Sequence, residues 1–519
     1  MRRSSLTFVL LLAGACAAPE APPPAAPPPP PPPVAPAPVA SAPPPIRITP
    51  DAPFRQAAPD GGPAVVFVQP KIVEFQLKNG LRVLLAERHD LPIVSVRVVA
   101  TSGVGDMPWE PPGAATFAGS MLEQGTPTRT ALQISDAFEA LGASHGTWID
   151  WDSGGAEVKV LRDKLDAALP ILADVVLHPS FPAEEITRLQ TRRLSAIQQE
   201  KSNPTSMGSN ATVAALYGRA HPYGHAIGGQ AADIQKLSRS DLVRAHAVLF
   251  NPAHCAIVVA GDITRPEVLA KMGAVFGDWK TPVAPPLSNH TIPRLATPSA
   301  PSAQAGHRFV VVDKPGAPQS VVRFAEVGVS RAAPDRDAVA VMNAMFGGMF
   351  SSRINLNLRE AHAYTYGAHS RFDQRHGAGP FIASASVKAD TTAASITELF
   401  KEVHGIQDDL ASKEELQGAK ESLELALPGR FESVDAVTQA LADLVVYHLP
   451  LDEYATLPAR IEKVTAEDVR KAARTHLHPK TLHVVVVGDR AKLEPSFEPL
   501  HLGPIEARDA YGDLLTAKP

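Results

Sequence analysis

The sequence predicts an α+β protein of two homologous duplicated domains, each a mainly antiparallel sheet packed with helices, and three observations carry that prediction. The 519-residue chain is too long for one ordinary domain. Strand and helix patterns alternate irregularly, and the same strand–strand–helix order restarts in the second half. One segment also recurs without gaps. Ile234, Lys236, Asp241, Pro252, Gly261 and Asp262 reappear as Ile461, Lys463, Asp468, Pro479, Gly488 and Asp489, at a constant offset of 227. Both copies read as a capped helix, a proline break, a β-branched strand and a Gly-Asp pair. Six identities at one offset, with apolar positions in phase, indicate duplication of a unit of roughly 220 residues.

In chain order, residues 1–16 carry a lipoprotein-type signal peptide. Arg2 and Arg3 supply the positive start, residues 6–12 a short apolar stretch, and Ala13-Gly14-Ala15 the small residues before Cys16. Small residues directly before a cysteine resemble a bacterial lipobox, which predicts lipidation at Cys16. Ala13 stands where leucine is usual, and ordinary secretion past an incidental cysteine is the alternative. Residues 17–70 form a Pro/Ala-rich linker holding many of the 51 prolines. With almost no charge and little to bury, it reads as a polyproline II spacer. Cys255, in an apolar strand-like run, is the only other cysteine, so no disulfide, cysteine-based metal site or cysteine catalysis follows.

The first domain spans residues 71–280. Residues 73–77 and 81–86, joined by Asn79-Gly80, read as a hairpin, and residues 93–100 as a third strand. Helical periodicity covers residues 114–123, 131–141, 165–176 and 183–200. Residues 281–306, rich in Pro, Ser, Thr and Ala, read as a linker. The second domain, 307–515, restarts with strands over 308–312 and 320–329 and a helix from Asp335. Gly347-Gly348 suggests a tight C-terminal turn closing a helix. The formal net charge of -5, with both signs mixed, leaves no basic footprint for nucleic acid. No apolar run is long enough to span a membrane as a helix.

Several landmarks occur together and in order: Asn79-Gly80-Leu81, residues 113–126, His221-Pro222-Tyr223-Gly224, Gly261-Asp262, and Phe350-Ser351-Ser352-Arg353 through Leu358-Arg359-Glu360 to Tyr364-Thr365-Tyr366-Gly367. With the duplication, they resemble the pitrilysin/insulinase family of zinc peptidases, which includes the mitochondrial processing peptidases. The resemblance runs from about Lys71 to Leu515 and implies a processing-peptidase-like metallopeptidase fold. Active members carry H-x-x-E-H on a helix. Histidines at i and i+4 share one face and hold zinc, and the glutamate serves the metal-bound water as general base. Here those positions are Thr116, Gly119 and Ser120, while the later glutamate ligand matches Glu200.

One carboxylate cannot hold a catalytic zinc, which takes three protein ligands and a water. The loss of the general base alone removes about 10²–10⁴ in rate. The resemblance therefore implies a pseudo-peptidase, inactive alone, with no cofactor of its own and with zinc in a partner subunit. Some family members are heterodimers in which a degenerate subunit supplies substrate-binding groups to a zinc-bearing homologue. The C-terminal positions matching those groups are Arg359, which would anchor a peptide carbonyl or carboxylate, and Tyr366, which would donate to a developing oxyanion. Tyr364 fits that second place less well. The plainer alternative pairs Arg359 with Glu360, or makes it a helix cap, and packs Tyr366 in the core.

Two further readings stay open. One is a structural or peptide-binding envelope protein without a catalytic partner. The other is an active zinc peptidase with relocated ligands, recruiting His221 beside Glu200; His225 lies four residues on, but Pro222 and Gly224 between the two histidines disfavour a helical pair. His145 and His178 read as surface or loop residues. The signal peptide and spacer imply a bacterial envelope protein facing the periplasm, bound to the membrane by lipid alone. Ala17 leaves the position after Cys16 free of the aspartate that retains lipoproteins at the inner membrane, which favours the outer membrane.

Overall fold

The computed structural model describes residues 67–107, 110–280 and 308–515. The signal peptide with Cys16, nearly all of the 17–70 linker, and the 281–306 linker lie outside the described residues.

Two six-stranded sheets organise the described chain. The first contains β1 (Ile72–Gln76), β2 (Arg82–Glu87), β3 (Ile93–Ala100), β4 (Ser144–Ile149), β5 (Gly154–Leu161) and β6 (Cys255–Gly261), in the order β1-β2-β6-β3-β5-β4. The second contains β7 (Phe309–Asp313), β8 (Gln319–Val327), β9 (Thr365–Phe372), β10 (Pro380–Lys388), β11 (His483–Gly488) and β12 (Ile505–Arg508), in the order β12-β7-β11-β8-β10-β9. Both sheets are mixed. The pair β2–β6 is parallel in the first, and β7–β11 and β12–β7 are parallel in the second. The remaining pairs are antiparallel, including the β1–β2 hairpin that Asn79-Gly80 predicts. The 79–80 turn closes β1 onto β2 with Gly80 at φ 85°, where a side chain would be strained.

The duplication is visible strand by strand. β6 lies between β2, parallel, and β3, antiparallel; β11 lies between β7, parallel, and β8, antiparallel. The recurring aspartates cap helices. Asp241 accepts from the Ser238 backbone N–H at 2.8 Å ahead of the helix Arg239–Leu249, and Asp468 accepts from that of Thr465 at 2.9 Å ahead of Ala466–His476. The sheets differ at one rim. The first takes its outer strand from the N-terminal hairpin, whereas the second takes β12 from the C-terminal end.

One face of each sheet packs on helices of its own half. Val94, Val96, Val98, Ile257 and Val259 sit in the first of these cores, and Phe309, Val322, Phe324, Val484 and Val486 in the second. The opposite faces are covered by an exchange. The helix Val434–Val446, from the second half, lays Val437, Leu441, Leu444 and Val445 on Leu84, Ala86, Val99, Ala256 and Val258 of the first sheet. The helix Pro204–Tyr217, from the first half, lays Met207, Ala211 and Ala215 on Val310, Val312, Val321, Val485 and Val487 of the second. This is why β6 and β11 are buried along their whole length and read as unbroken apolar runs. Each fully buried Leu or Val contributes about 1.5–3 kcal/mol, so the exchanged helices bind the halves tightly.

Polar groups tie the same seam. Under the Val434–Val446 helix, Arg97 meets Glu157 at 2.7 Å and donates to Gln439, and Lys159 pairs with Asp435. Under the Pro204–Tyr217 helix, Arg323 donates to the Thr205 carbonyl at 3.1 Å. Arg323 is held down to about 10 by burial, with the charge of Arg371 adding to the effect.

The Gly347-Gly348 turn differs from expectation. Neither glycine has a positive φ; they end a wide, π-type helical turn, Ala344–Gly348. A Cβ on Gly347 would lie 2.5 Å from the Ser370 hydroxyl and 2.6 Å from the Ser370 backbone nitrogen, so close contact with β9 explains the glycine. Among the described residues, no helix is long and apolar enough to cross a membrane.

Candidate functional site

The helix Ala114–Met121 opens at Gly113, whose φ of 86° puts it in the left-handed region. A Cβ there would come within 2.9 Å of the Gly228 carbonyl, so glycine lets the 227–229 loop close over the start of the helix. The preceding segment is fixed by Glu110, which takes a bidentate pair from Arg244 at 2.6 and 2.8 Å in a buried setting.

On this helix both hydroxyls turn back to the main chain. Thr116 donates to the Gly113 carbonyl at 3.0 Å and approaches that of Ile227 at 3.4 Å, and Ser120 donates to the Thr116 carbonyl at 3.0 Å. Gly119 is buried against β4, and a Cβ on it would meet Ile149 Cγ1 at 2.4 Å. Thr116 and Ser120 share a cleft of about 520 Å³ with Glu200, Arg192 and Arg193. The helix Ala183–Glu200 thus brings the glutamate beside the helix that the spacing argument named.

Glu200 is engaged by a cation. Arg193 Nη1 donates to its Oε1 at 2.6 Å, and Arg193 Nε reaches the Gly228 carbonyl at 3.3 Å. Arg193 was missed in the sequence, although its spacing of two helical turns from Glu200 puts the two on one face. With Thr116, Gly119 and Ser120 opposite, the cleft offers a divalent ion one arginine-paired carboxylate, and this donor set does not fit a catalytic zinc.

His221 and His225 line a different cleft, of about 370 Å³, with Glu110 and Arg219. They flank the turn Pro222–Gly224. His221 Nδ1 accepts from the Tyr223 backbone N–H at 3.0 Å, and His225 Nε2 donates to the Arg219 carbonyl at 2.5 Å. Burial pushes the His225 imidazole down, which keeps it neutral. Neither joins Glu200 in a ligand cluster, because among the described residues three metal-ligating side chains converge only at Asp106, Asp152 and His376. His178 is exposed, as expected, but His145 is a half-buried residue of β4. It pairs with Glu123 at 2.8 Å and stacks on Phe138, and the Glu123 hydrogen bond raises its pKa.

In the second half, Arg359 lies on the wide helical turn Leu356–Ala361, packed beside β9, which carries Tyr366 at the open edge of its sheet. Asn355 pins these elements: its amide donates to the Phe350 carbonyl at 2.7 Å and its oxygen accepts from the Ala368 backbone N–H at 3.0 Å. The Arg359 guanidinium sits 4.5 Å from the Phe350 ring centroid and touches Glu360 at 3.4 Å. Tyr366 is 91% exposed and Phe350 67% exposed, so Tyr366 is no core residue. Tyr364 instead stacks on His362 and packs against the second core. Arg359 and Tyr366 line neither cleft described above. Phe350 was quoted in the sequence without a role; its place nine residues before Arg359 gave no hint of the contact.

The family model described as "Insulinase (Peptidase family M16)" matches residues 82–226, and the model described as "Peptidase M16 inactive domain" matches residues 236–423. An uncharacterised zinc protease of Mycobacterium bovis is 25% identical over 419 residues, covering 79% of this chain and 92% of that protein. A probable mitochondrial-processing peptidase subunit beta of Arabidopsis thaliana is 22% identical over 425 residues, covering 79% and 77%. The crystal structure of a peptidase M16 inactive domain from Pseudomonas fluorescens superposes with a TM-score of 0.71 at 26% identity, covering 80% of this chain and 98% of that one.

Proposed function

Because the chain belongs to the insulinase family of peptidases, M16, we propose that it is a non-catalytic member that pairs with a zinc-bearing homologue and binds and orients peptide substrates for it. One observation carries this reading. The helix face that holds zinc in active members presents Thr116 and Ser120 hydroxyls bonded to their own backbone and Gly119 filled by Ile149, while Glu200 is neutralised by Arg193. Such a chain needs no catalytic metal of its own, and the ion belongs to the partner.

The second half supports the substrate role. Phe350, Arg359 and Tyr366 form an exposed aromatic–cationic patch beside an edge strand, a surface suited to extended peptide. A lipid on Cys16 would hold the body in the envelope, facing the periplasm, on its proline-rich stalk.

Co-expression with a homologue carrying an intact H-x-x-E-H tests the proposal. The isolated chain should cleave no unfolded peptide, and the pair should cleave it in a chelator-sensitive way. Tyr366→Phe or Arg359→Ala in this chain should lower kcat by about 10–10³-fold at unchanged stability, the range for removing one transition-state donor. Chelator-sensitive cleavage by the chain alone would overturn the non-catalytic reading. Full activity in both variants would remove the substrate role of those residues. Failure of the two proteins to associate would leave a structural or peptide-binding protein.

A further inference from the structure

Away from the degenerate cleft, the seam between the halves brings together three ligand-type side chains that the proposed function does not use. Asp106 ends the short turn Val104–Asp106, Asp152 lies between β4 and β5, and His376 lies between β9 and β10. Asp106 is 5% exposed and Asp152 3% exposed. Each spends one polar atom on being held in place. Asp106 Oδ2 accepts from the Gly103 backbone N–H at 2.9 Å. Asp152 Oδ2 accepts from the His376 backbone N–H at 2.9 Å and from the Tyr447 hydroxyl at 3.1 Å. His376 Nε2 donates to the Val446 carbonyl at 3.0 Å. Of the remaining atoms, Asp106 Oδ1 and His376 Nδ1 meet at 3.3 Å, Asp152 Oδ1 has no hydrogen-bond partner, and one ligand-type atom from each residue lies within 4.8 Å of the others.

Their spacing is looser than that of the tight histidine–carboxylate pairs. Those meet at 2.7 Å (His89–Asp262 and His476–Asp335), 2.8 Å (His145–Glu123) and 2.9 Å (His478–Glu326), the range of a charge-assisted hydrogen bond. The wider contacts His178–Asp174 at 3.4 Å, His89–Glu87 at 3.6 Å and His362–Glu398 at 3.7 Å belong to histidines more exposed than His376. Here Nδ1 stands 3.3 Å from Asp106 Oδ1 and 3.7 Å from Asp152 Oδ1. Ligands bound at about 2.0–2.2 Å around a tetrahedral zinc are separated by about 3.4 Å. Asp152 Oδ1 is also buried without any hydrogen-bond partner, a costly state for a carboxylate oxygen. The Nε2–H to carbonyl bond is the orientation that metal-bound histidines adopt, since it turns Nδ1 toward the carboxylates. Without an ion, and against the cost of burial, the Asp106 hydrogen bond and the Asp152 charge raise the imidazole to about 9, so a bound cation would take the place of the Nδ1 proton. Arg375 does not fill the gap, as it is paired with Asp373 at 2.6 Å and spread over the Trp151 and Tyr223 rings.

We propose that Asp106, Asp152 and His376 bind one divalent transition-metal cation, zinc foremost, which staples the two halves together with water as the remaining ligand. Two carboxylates and a neutral imidazole balance the charge of the ion in a buried place. Two ligands come from the first half and one from the second. The Val446 carbonyl and Tyr447 hydroxyl that orient them stand at the end of the exchanged Val434–Val446 helix, so the ion would fasten that helix where it crosses the seam. The inference does not depend on the peptidase-partner reading.

The test uses the purified full chain stripped with dipicolinate and titrated calorimetrically with zinc chloride. The expected result is uptake of one equivalent and a melting temperature raised by a few degrees at saturating metal. Cobalt should give the visible absorption of a low-symmetry site. Asp152→Asn and His376→Gln should abolish uptake, whereas Glu200→Gln should still bind one equivalent, which separates this site from the degenerate cleft. If one seam variant fails to fold, the other and the wild-type titration decide. Absence of stoichiometric uptake by the wild-type chain, or unchanged uptake in a folded seam variant, would overturn the proposal and leave a protonated histidine between two carboxylates.

Discussion

Gly119 stands where the family resemblance places the general base, and its surroundings leave no room for a side chain. Ile149 Cγ1 would lie 2.4 Å from any Cβ placed there, and the same side chain abuts Gly154 on β5. Reinstalling the motif as Thr116→His, Gly119→Glu and Ser120→His should therefore not restore chelator-sensitive cleavage. It should cost about 1–3 kcal/mol in denaturant unfolding through overpacking; a stable variant that cleaves peptide would refute the steric argument. A second residue sets an acid limit. His246 is pressed between Phe181 and Phe250 and donates to the Val176 carbonyl at 2.8 Å, and burial holds it down to about 4 from 6.5. Between those values the unfolded chain binds the proton and the folded chain does not, so stability present above pH 6.5 is lost as pH falls toward 4. The loss is about 1.4 kcal/mol per unit. His246→Gln should flatten the dependence of unfolding free energy on pH in that window. Part of the candidate site was legible in the sequence through the family resemblance: Thr116, Ser120 and Glu200 share one cleft, while Gly119 faces Ile149 instead. The cluster of Asp106, Asp152 and His376 was not, because its members sit on three separate connections and only tertiary contact makes them neighbours.

Among the elements, those with clean periodicity lie close to where the sequence put them. The strand over residues 93–100 and the helix over 183–200 match their expected limits, and the 114–123 helix ends two residues early, at Met121. β4 was invisible, since SHGTWI has no strict alternation and a glycine in its middle. β12 was missed because a four-residue edge strand carries little pattern. The exchange of helices was beyond reach for another reason: periodicity tells which face of a helix is apolar but not which sheet covers it. That exchange has an energetic signature. Leu441→Ala removes a side chain buried on the first sheet and should cost about 2–5 kcal/mol. Although the residue belongs by sequence to the second half, hydrogen exchange should show protection falling in β2, β3 and β6 as well as in its own half. Loss confined to residues 308–515 would mean that the helix is only an ornament on the first sheet.

Taken as a whole, the described body is two copies of one plan, each completed by a helix from the other. Neither sheet has both faces covered from its own half, so one unfolding transition is expected for the pair. A protease site engineered between residues 281 and 306 offers a direct check: after cleavage, the two pieces should co-elute as one particle with an unchanged melting profile, whereas either piece expressed alone should aggregate through its bare valine-rich face. Pieces that separate on cleavage would show that the exchanged helices contribute little. The reciprocal loan of these helices means that continuity of the backbone is incidental to the architecture. The protein is in effect a heterodimer written as a single gene, and splitting it into two reading frames, each supplying the cover for its sibling, would demand no new interface at all.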